Sequence, residues 1–251
     1  MSTIGVGTLN VCSLRGKLDS VLSLATQNSL DILCLQEARI CKDDCQTVRK
    51  LASDKGWSAH IGTQNVDAAS YPYAGTIILS SWPTETVDLP QDPLFIGRAV
   101  AVKVYRPNLR PCILINSYLH ASDSELASHT AEALFEWASS TGEQWMIAGD
   151  FNLSKAHWPM SLAIAAGRLC DVDSLVCEPS AVVGTTRRPN GSLTRNVIDY
   201  MLTTKDLVVA TRSQLRGVAD HDLIAYRVVL NNPVDCYKWP PLLRLKVSSI
   251  A

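Results

Sequence analysis

Short unbroken apolar runs along the chain alternate with stretches in which apolar residues return every three or four positions. TIGVGTLNVC opens the chain as a strand, and LDILCLQE is apolar enough to be a strand buried on both faces. Between them, RGKLDSVLSLATQNS puts Leu18, Val21, Leu22 and Ala25 on one helical stripe. CKDDCQTVRKLASDKG predicts a second helix that stops at Gly56. WSAHIGT, GTIILSS, GRAVAVKVY and CILINSYLH follow as β segments. DSELASHTAEALFEWASS is an amphipathic helix with Ser122 or Asp123 as N-cap and Leu126, Ala133, Leu134 and Trp137 inward. QWMIAGD, NVIDYMLTT and LIAYRVVL supply the remaining strands, and MSLAIAAGRL a short helix inside an otherwise loop-like stretch. Short strands mixed with a few helices and no internal repeat predict a single α/β sandwich with mostly antiparallel pairing. It spans 1–231, and the tail 232–251, with its paired prolines, reads as a linker or extended strap.

Composition narrows the class. In 251 residues, 47% are hydrophobic and 19% charged, enough for a substantial core and too apolar for wholesale disorder. No uncharged apolar run approaches the roughly 18 residues of a membrane span. The N-terminus is broken by Gly and Asn, unlike a signal peptide, so the expected location is intracellular, nuclear if chromosomal DNA is the target. Of the eight cysteines, Cys12, Cys34 and Cys112 lie in apolar runs as small core residues. Cys41 and Cys45 lack the second pair that a zinc site needs. A net charge of −1 argues against a broad basic face for nucleic acid but leaves room for a local patch. Between Thr185 and Arg216, six basic residues face two acidic ones.

The apolar strands end repeatedly in acidic, amide or aromatic polar residues. Asn10, Glu37, Tyr118, His120, Asp150 and Asn152 close such strands, Asp199 sits inside NVIDYML, and Asp220 and His221 precede LIAYRVVL. Each alone is an ordinary turn residue. Together they suit hydrolysis of a phosphate ester. A Glu with one or two Asp offers hard oxygen ligands for Mg²⁺, with Mn²⁺ as a substitute. Asp150 and Asn152, at i and i+2, face the same side of an extended backbone, so one can take a proton from water that the other holds. Asp199 can orient His221 and favour its protonated form beside an anionic phosphate.

These residues carry a family resemblance. TLNVCSL, DILCLQEAR, YAGTIIL, GRAVAVKV, INSYLHA, MIAGDFNLS, NVIDYMLTT and VADHDLIAYRV resemble, in order, the successive motifs of the endonuclease/exonuclease/phosphatase superfamily. The resemblance implies the deoxyribonuclease-I-like fold, a four-layered α/β sandwich of two mostly antiparallel sheets flanked by helices. It implies Glu37 as principal metal ligand with Asn10 alongside and Asp220 next to the metal. Tyr118 would touch the scissile phosphate, Asp150 and Asn152 would position and deprotonate water, and Asp199 and His221 would form the carboxylate–imidazole pair. Arg39 falls where several relatives place a basic residue. Cys12 departs from the pattern of apurinic endonucleases, which have an acidic residue there, and Ala219 stands where many relatives have Ser.

LNVCSLRGK and the Tyr in NSYL look most like apurinic endonucleases and the endonuclease domains of non-long-terminal-repeat retrotransposons. The basic segment TTRRPNGSLTR, with Arg187, Arg188 and Arg195, lies where such nucleases carry a DNA-contacting loop. The resemblance therefore implies a Mg²⁺-dependent DNA endonuclease, monomeric as a domain and leaving 3′-hydroxyl and 5′-phosphate ends. RNA remains open as a substrate. A phosphatase or RNA deadenylase of the same superfamily is the nearest alternative, and a non-catalytic nucleic-acid-binding module the alternative from another class.

Overall fold

Side-chain parity along the strands sorts the apolar residues into three layers of core. In strand β1 (Thr3–Asn10), Ile4 and Val6 enter one layer while Leu9 enters another. In β2 (Ile32–Gln36), Ile32 and Cys34 share the first layer, and Leu33 and Leu35 the second. This alternation follows from the period of two along an extended chain. The structure is a computed structural model and describes residues 3–63, 65–66, 72–107, 109–176, 184–186, 191–194 and 196–229.

The other elements in chain order are α1 (Leu18–Gln27), α2 (Asp44–Ser53), β3 (Ser58–Ile61), β4 (Asn65–Val66), β5 (Pro72–Tyr73), β6 (Ile77–Ser80), β7 (Thr84–Val87) and β8 (Ala99–Val104). There follow β9 (Cys112–Tyr118), α3 (Ser124–Ser140), β10 (Gln144–Asp150), α4 (Met160–Ala165), β11 (Cys170–Asp171), α5 (Val172–Val176), β12 (Asp199–Thr203), β13 (Val209–Leu215) and β14 (Leu223–Val229). One six-stranded sheet runs β13-β14-β1-β2-β6-β3, the other β11-β12-β10-β9-β8-β7, and β4 and β5 form a small ribbon. Helices α1 and α2 cover the outer face of the first sheet, with Leu18, Val21, Leu22, Ala25, Val48 and Ala52 against Leu33 and Leu35. Helices α3 and α4 cover the second, with Ala127, Ala131, Leu134 and Met160 against Ile113, Ile115 and Ile147. Between the sheets lie Val6, Cys34, Ile78, Val102, Leu114, Met146 and Met201. The result is the expected four-layered α/β sandwich.

Each sheet is mostly antiparallel, with one parallel pair at its centre: β1/β2 and β9/β10. A parallel pair needs a crossover, which α1 and α3 provide. Four central strands therefore release their C-terminal residues at one rim of the sandwich. Within the second sheet, Gly149 of β10 pairs with Ser117 of β9, where an added Cβ would lie 1.9 Å from the Ser117 carbonyl oxygen.

Several expectations shift. The β7 and β13 strands carry polar residues on both faces and give no apolar run, so their pairing at the sheet edges is set by their neighbours. Helix α3 is capped by Asp123, whose side chain accepts from Leu126 N–H at 2.9 Å. Its buried stripe is Ala127, Ala131, Leu134, Phe135 and Ala138, while Leu126, Ala133 and Trp137 sit at the margin. The alanines set the stripe because they let the helix lie close on the sheet. Cys34 and Cys112 are buried as expected, but β1 ends at Asn10 and leaves Cys12 exposed in a left-handed turn (φ 47°). The tail 232–251 lies outside the described residues. Among the described residues, no helix is long and apolar enough to cross a membrane.

Candidate active site

The parity that builds the inter-sheet core also delivers the polar groups. Asn10 continues the series Ile4, Val6, Thr8, and Tyr118 the series Cys112, Leu114, Asn116. Asp150 continues Met146 and Ala148, and Asp199 lies two residues from Met201. All four thus emerge on the faces that the sheets turn toward each other, at the rim where the central strands end. Glu37 follows β2 in a left-handed conformation (φ 50°), and His221 precedes β14.

Beneath this rim lies a polar layer that the sequence reading did not single out. Gln36 Nε2 donates to Asn116 Oδ1 at 2.7 Å and to Thr8 Oγ1 at 3.0 Å. Asn116 Nδ2 donates to the carbonyls of Leu35 (2.8 Å) and Ile77 (2.9 Å), so one side chain of the second sheet fastens two strands of the first. A polar residue inside the otherwise apolar runs CILINSY and ILCLQ was the available signal.

At the rim, Asn10 Nδ2 bridges the Glu37 and Asp150 carboxylates, at 3.0 Å from each. Its Oδ1 accepts from Cys12 N–H at 3.0 Å. Tyr118 donates its hydroxyl to Glu37 Oε1 at 2.8 Å, and Arg39 pairs with Glu37 Oε2. Burial alone would raise the Glu37 carboxyl, but the hydrogen bonds from Asn10 and Tyr118 and the Arg39 charge hold it below its ordinary value. Burial and then the Glu37 charge push the Tyr118 hydroxyl up. The Arg98 guanidinium lies 5.0 Å from the Tyr118 ring centroid, a cation–π contact absent from the sequence reading.

Asp150 and Asp199 stand directly opposite each other in the antiparallel pair β10/β12, an arrangement of like charges that a sheet disfavours. His221 resolves it. Its Nδ1 is 2.9 Å from Asp199 Oδ2, and its Nε2 is 3.9 Å from Asp150 Oδ2. Burial would lower the imidazole, yet the hydrogen bond and charge of Asp199, with Asp150 and Asp220 behind them, raise it to about 9. The Asp150 carboxyl is raised by burial and then by Asp199, against the pull of His221, Asn10 and the Asn152 N–H. An imidazolium thus stands between two carboxyls.

Asn152 is present but not as the period-two argument had it. It lies beyond β10 in a left-handed turn (φ 50°), where its N–H donates to Asp150 Oδ1 at 3.1 Å. Its Nδ2 donates to the Leu119 carbonyl at 2.9 Å, tying the Asp150 loop to the end of β9. Asp220 is exposed beside His221 and lies outside the group formed by Asp150, Asp199 and His221. Arg187, Arg188 and Arg195 fall outside the described residues. The roots of their segment are described: Thr186 bridges to His221, and Thr194 N–H donates to the Thr186 carbonyl at 2.8 Å.

The donor set suits a hard divalent cation at Glu37. That carboxyl is held ionised and is partly open to solvent. The ligand atoms of Asp150, Asp199 and His221 also lie within 4.8 Å of one another, but the His221 imidazolium already offsets one of the two carboxylate charges there.

The model of the endonuclease/exonuclease/phosphatase family matches residues 7–225. No curated protein matches the sequence. Among solved structures, a 3′ phosphatase, NExo, from Neisseria bound to product DNA hairpin superposes with a TM-score of 0.71 at 20% identity, covering 91% of this chain and 100% of that one. A mannosyl-6-phosphatase from Bacteroides thetaiotaomicron gives 0.71 at 15% identity, covering 90% and 99%. The endonuclease domain of TRAS1, a telomere-specific non-LTR retrotransposon, gives 0.66 at 13% identity, covering 91% and 100%. At such identities the superpositions show a shared fold.

Proposed function

Since the chain belongs to the endonuclease/exonuclease/phosphatase family, we propose that it is a Mg²⁺-dependent DNA endonuclease of the apurinic or retrotransposon type. The observation that carries this reading is the continuous line Tyr118–Glu37–Asn10–Asp150–His221–Asp199 across the rim between the sheets. A phosphodiester laid along that line meets a cation-binding carboxylate at one end and an imidazolium at the other. Glu37, with Asn10 beside it, would hold Mg²⁺ or Mn²⁺. Such an ion, when bound, polarises the phosphoryl group and offsets the charge that develops on it.

The chain's own residues supply the rest. Asp150 accepts the proton of the attacking water, and its raised pKa makes it a stronger base than an ordinary carboxylate. Asn152, fixed to the Leu119 carbonyl, holds the Asp150 loop against the end of β9. His221 presents a positive N–H to a phosphate oxygen, and Asp199 fixes its tautomer and tilt through Nδ1. Tyr118, whose one hydroxyl hydrogen goes to Glu37 Oε1, orients that carboxylate at the phosphate-binding end of the line. Positioning and electrostatics of this kind account for most of the catalysis in phosphoryl transfer.

The basic segment favours a polymeric substrate over a small phosphoester, because its roots at Thr186 and Thr194 sit next to His221. Supercoiled plasmid incubated with Mg²⁺ should be nicked, with 3′-hydroxyl and 5′-phosphate ends. Glu37→Ala and His221→Ala should each abolish nicking. Nicking that survives both substitutions sinks the proposal. Phosphate release from 3′-phosphorylated oligonucleotides or sugar phosphates, without nicking, assigns the site to a phosphatase instead.

A further inference from the structure

Glu37 has two kinds of partner. Its Oε1 accepts from Asn10 Nδ2 and from the Tyr118 hydroxyl, so both lone pairs of that oxygen are engaged. Its Oε2 is covered by the Arg39 guanidinium. Asn10 and Tyr118 are buried and fixed, whereas the Arg39 side chain is 45% exposed against 15% for Glu37. The backbone is what brings Arg39 back. Glu37 and Arg39 both adopt left-handed conformations, at φ 50° and 47°. Two bonds clamp the turn: Ala38 N–H to the Gly75 carbonyl and Arg39 N–H to the Ala74 carbonyl, both 3.0 Å. The side chain thus folds over the carboxylate two residues earlier while its guanidinium remains free to swing into solvent without uncovering core.

We propose that Arg39 is the resident counter-ion of Glu37, that a divalent cation displaces it from Oε2, and that the released guanidinium then binds a phosphate oxygen of the substrate. The inference rests on the metal-dependent hydrolase reading above. A dication and a guanidinium cannot share one carboxylate oxygen without strong repulsion. A guanidinium fork matches a phosphate at least as well as a carboxylate. The exchange couples the two ligands: the cation frees the group that holds the phosphate, and the phosphate keeps that group away from the cation. By linkage, each ligand must then strengthen the other by the same factor.

Calorimetric titration of Mg²⁺ into wild type and Arg39→Met, with and without inorganic phosphate as the probe, tests this without relying on turnover. Without phosphate, Arg39→Met should bind Mg²⁺ about tenfold more tightly, because a like charge has left the site. Phosphate should tighten Mg²⁺ binding several-fold in the wild type and less than about twofold in Arg39→Met. Arg39→Lys keeps the charge and should stay within about threefold of the wild type, which separates charge from lost side-chain contacts. Equal or weaker Mg²⁺ binding by Arg39→Met, in a protein whose wild type binds Mg²⁺, overturns the exchange and leaves the hydrolase reading standing. A wild type that binds no divalent cation overturns both.

Discussion

The polar layer beneath the site makes a demanding prediction. Asn116→Leu keeps the branched skeleton and the number of side-chain heavy atoms, so no cavity opens, but it removes three hydrogen bonds. Two are those from Nδ2 to the Leu35 and Ile77 carbonyls, and the third is the 2.7 Å bond from Gln36. At roughly 1 kcal/mol each, their loss costs about 3 kcal/mol. Gln36 Nε2 retains Thr8 Oγ1 and the Cys34 carbonyl as acceptors, so the larger penalty of a fully orphaned amide does not apply. Apolar burial of the new side chain offsets part of this, leaving an expected loss of about 2–3 kcal/mol. Urea unfolding should show a lower midpoint with an unchanged slope. Replacing both partners removes the mismatch, so Gln36→Leu/Asn116→Leu should lose clearly less than the sum of the single variants. A single variant within about 0.5 kcal/mol of wild type, or an additive cycle, would refute the idea that this layer fastens the sheets.

Two further perturbations reach the site. Asp199→Asn removes the charge that raises both Asp150 and His221, so both limbs of the pH profile of kcat/KM should move toward acid. Its rate should fall by roughly 10²-fold or more as the imidazole loses its orienting partner; limbs that stay in place would disconnect Asp199 from the chemistry. Gly149→Ala places a methyl 1.9 Å from the Ser117 carbonyl oxygen, between the two strands that carry Tyr118 and Asp150. The clash is with backbone and cannot be relieved by a rotamer change, so the melting temperature should fall far more than for Gly142→Ala, which meets nothing within 4 Å and carries only the strain of its positive φ.

What the sequence made legible and what it hid follow from the range of each signal. The central strands could be read because apolar runs and parity are local, and their terminal polar residues came with them. The edge strands β7 and β13 could not, since TETV and VATRSQL are shaped by neighbours rather than by burial. Asn152 was placed on the right loop but by the wrong argument. Extended alternation stops at Asp150, and the side chain is aimed by a left-handed turn that no spacing rule encodes. Cys12 fails for a similar reason: strand ends defined by hydropathy run on past the last paired residue. The relations that give the site its chemistry are the least local of all. Asn10 reaches Asp150, and Glu37 reaches Tyr118, only because two parallel pairs from opposite sheets end at one rim. The same distance in sequence conceals the ion cluster behind the site, where Lys155 and Arg212 both meet the buried Asp173. Lys155 lies three residues past Asn152 and 5.1 Å from the centroid of the Tyr200 ring, which stacks on Phe151. The Asp150–Asn152 loop is therefore held from both sides, by Asn10 and Leu119 in front and by this cluster behind. The turn reading and the catalytic reading of that loop are one structure. A strand that ends in a clamped turn is what fixes a buried carboxylate against its like-charged neighbour.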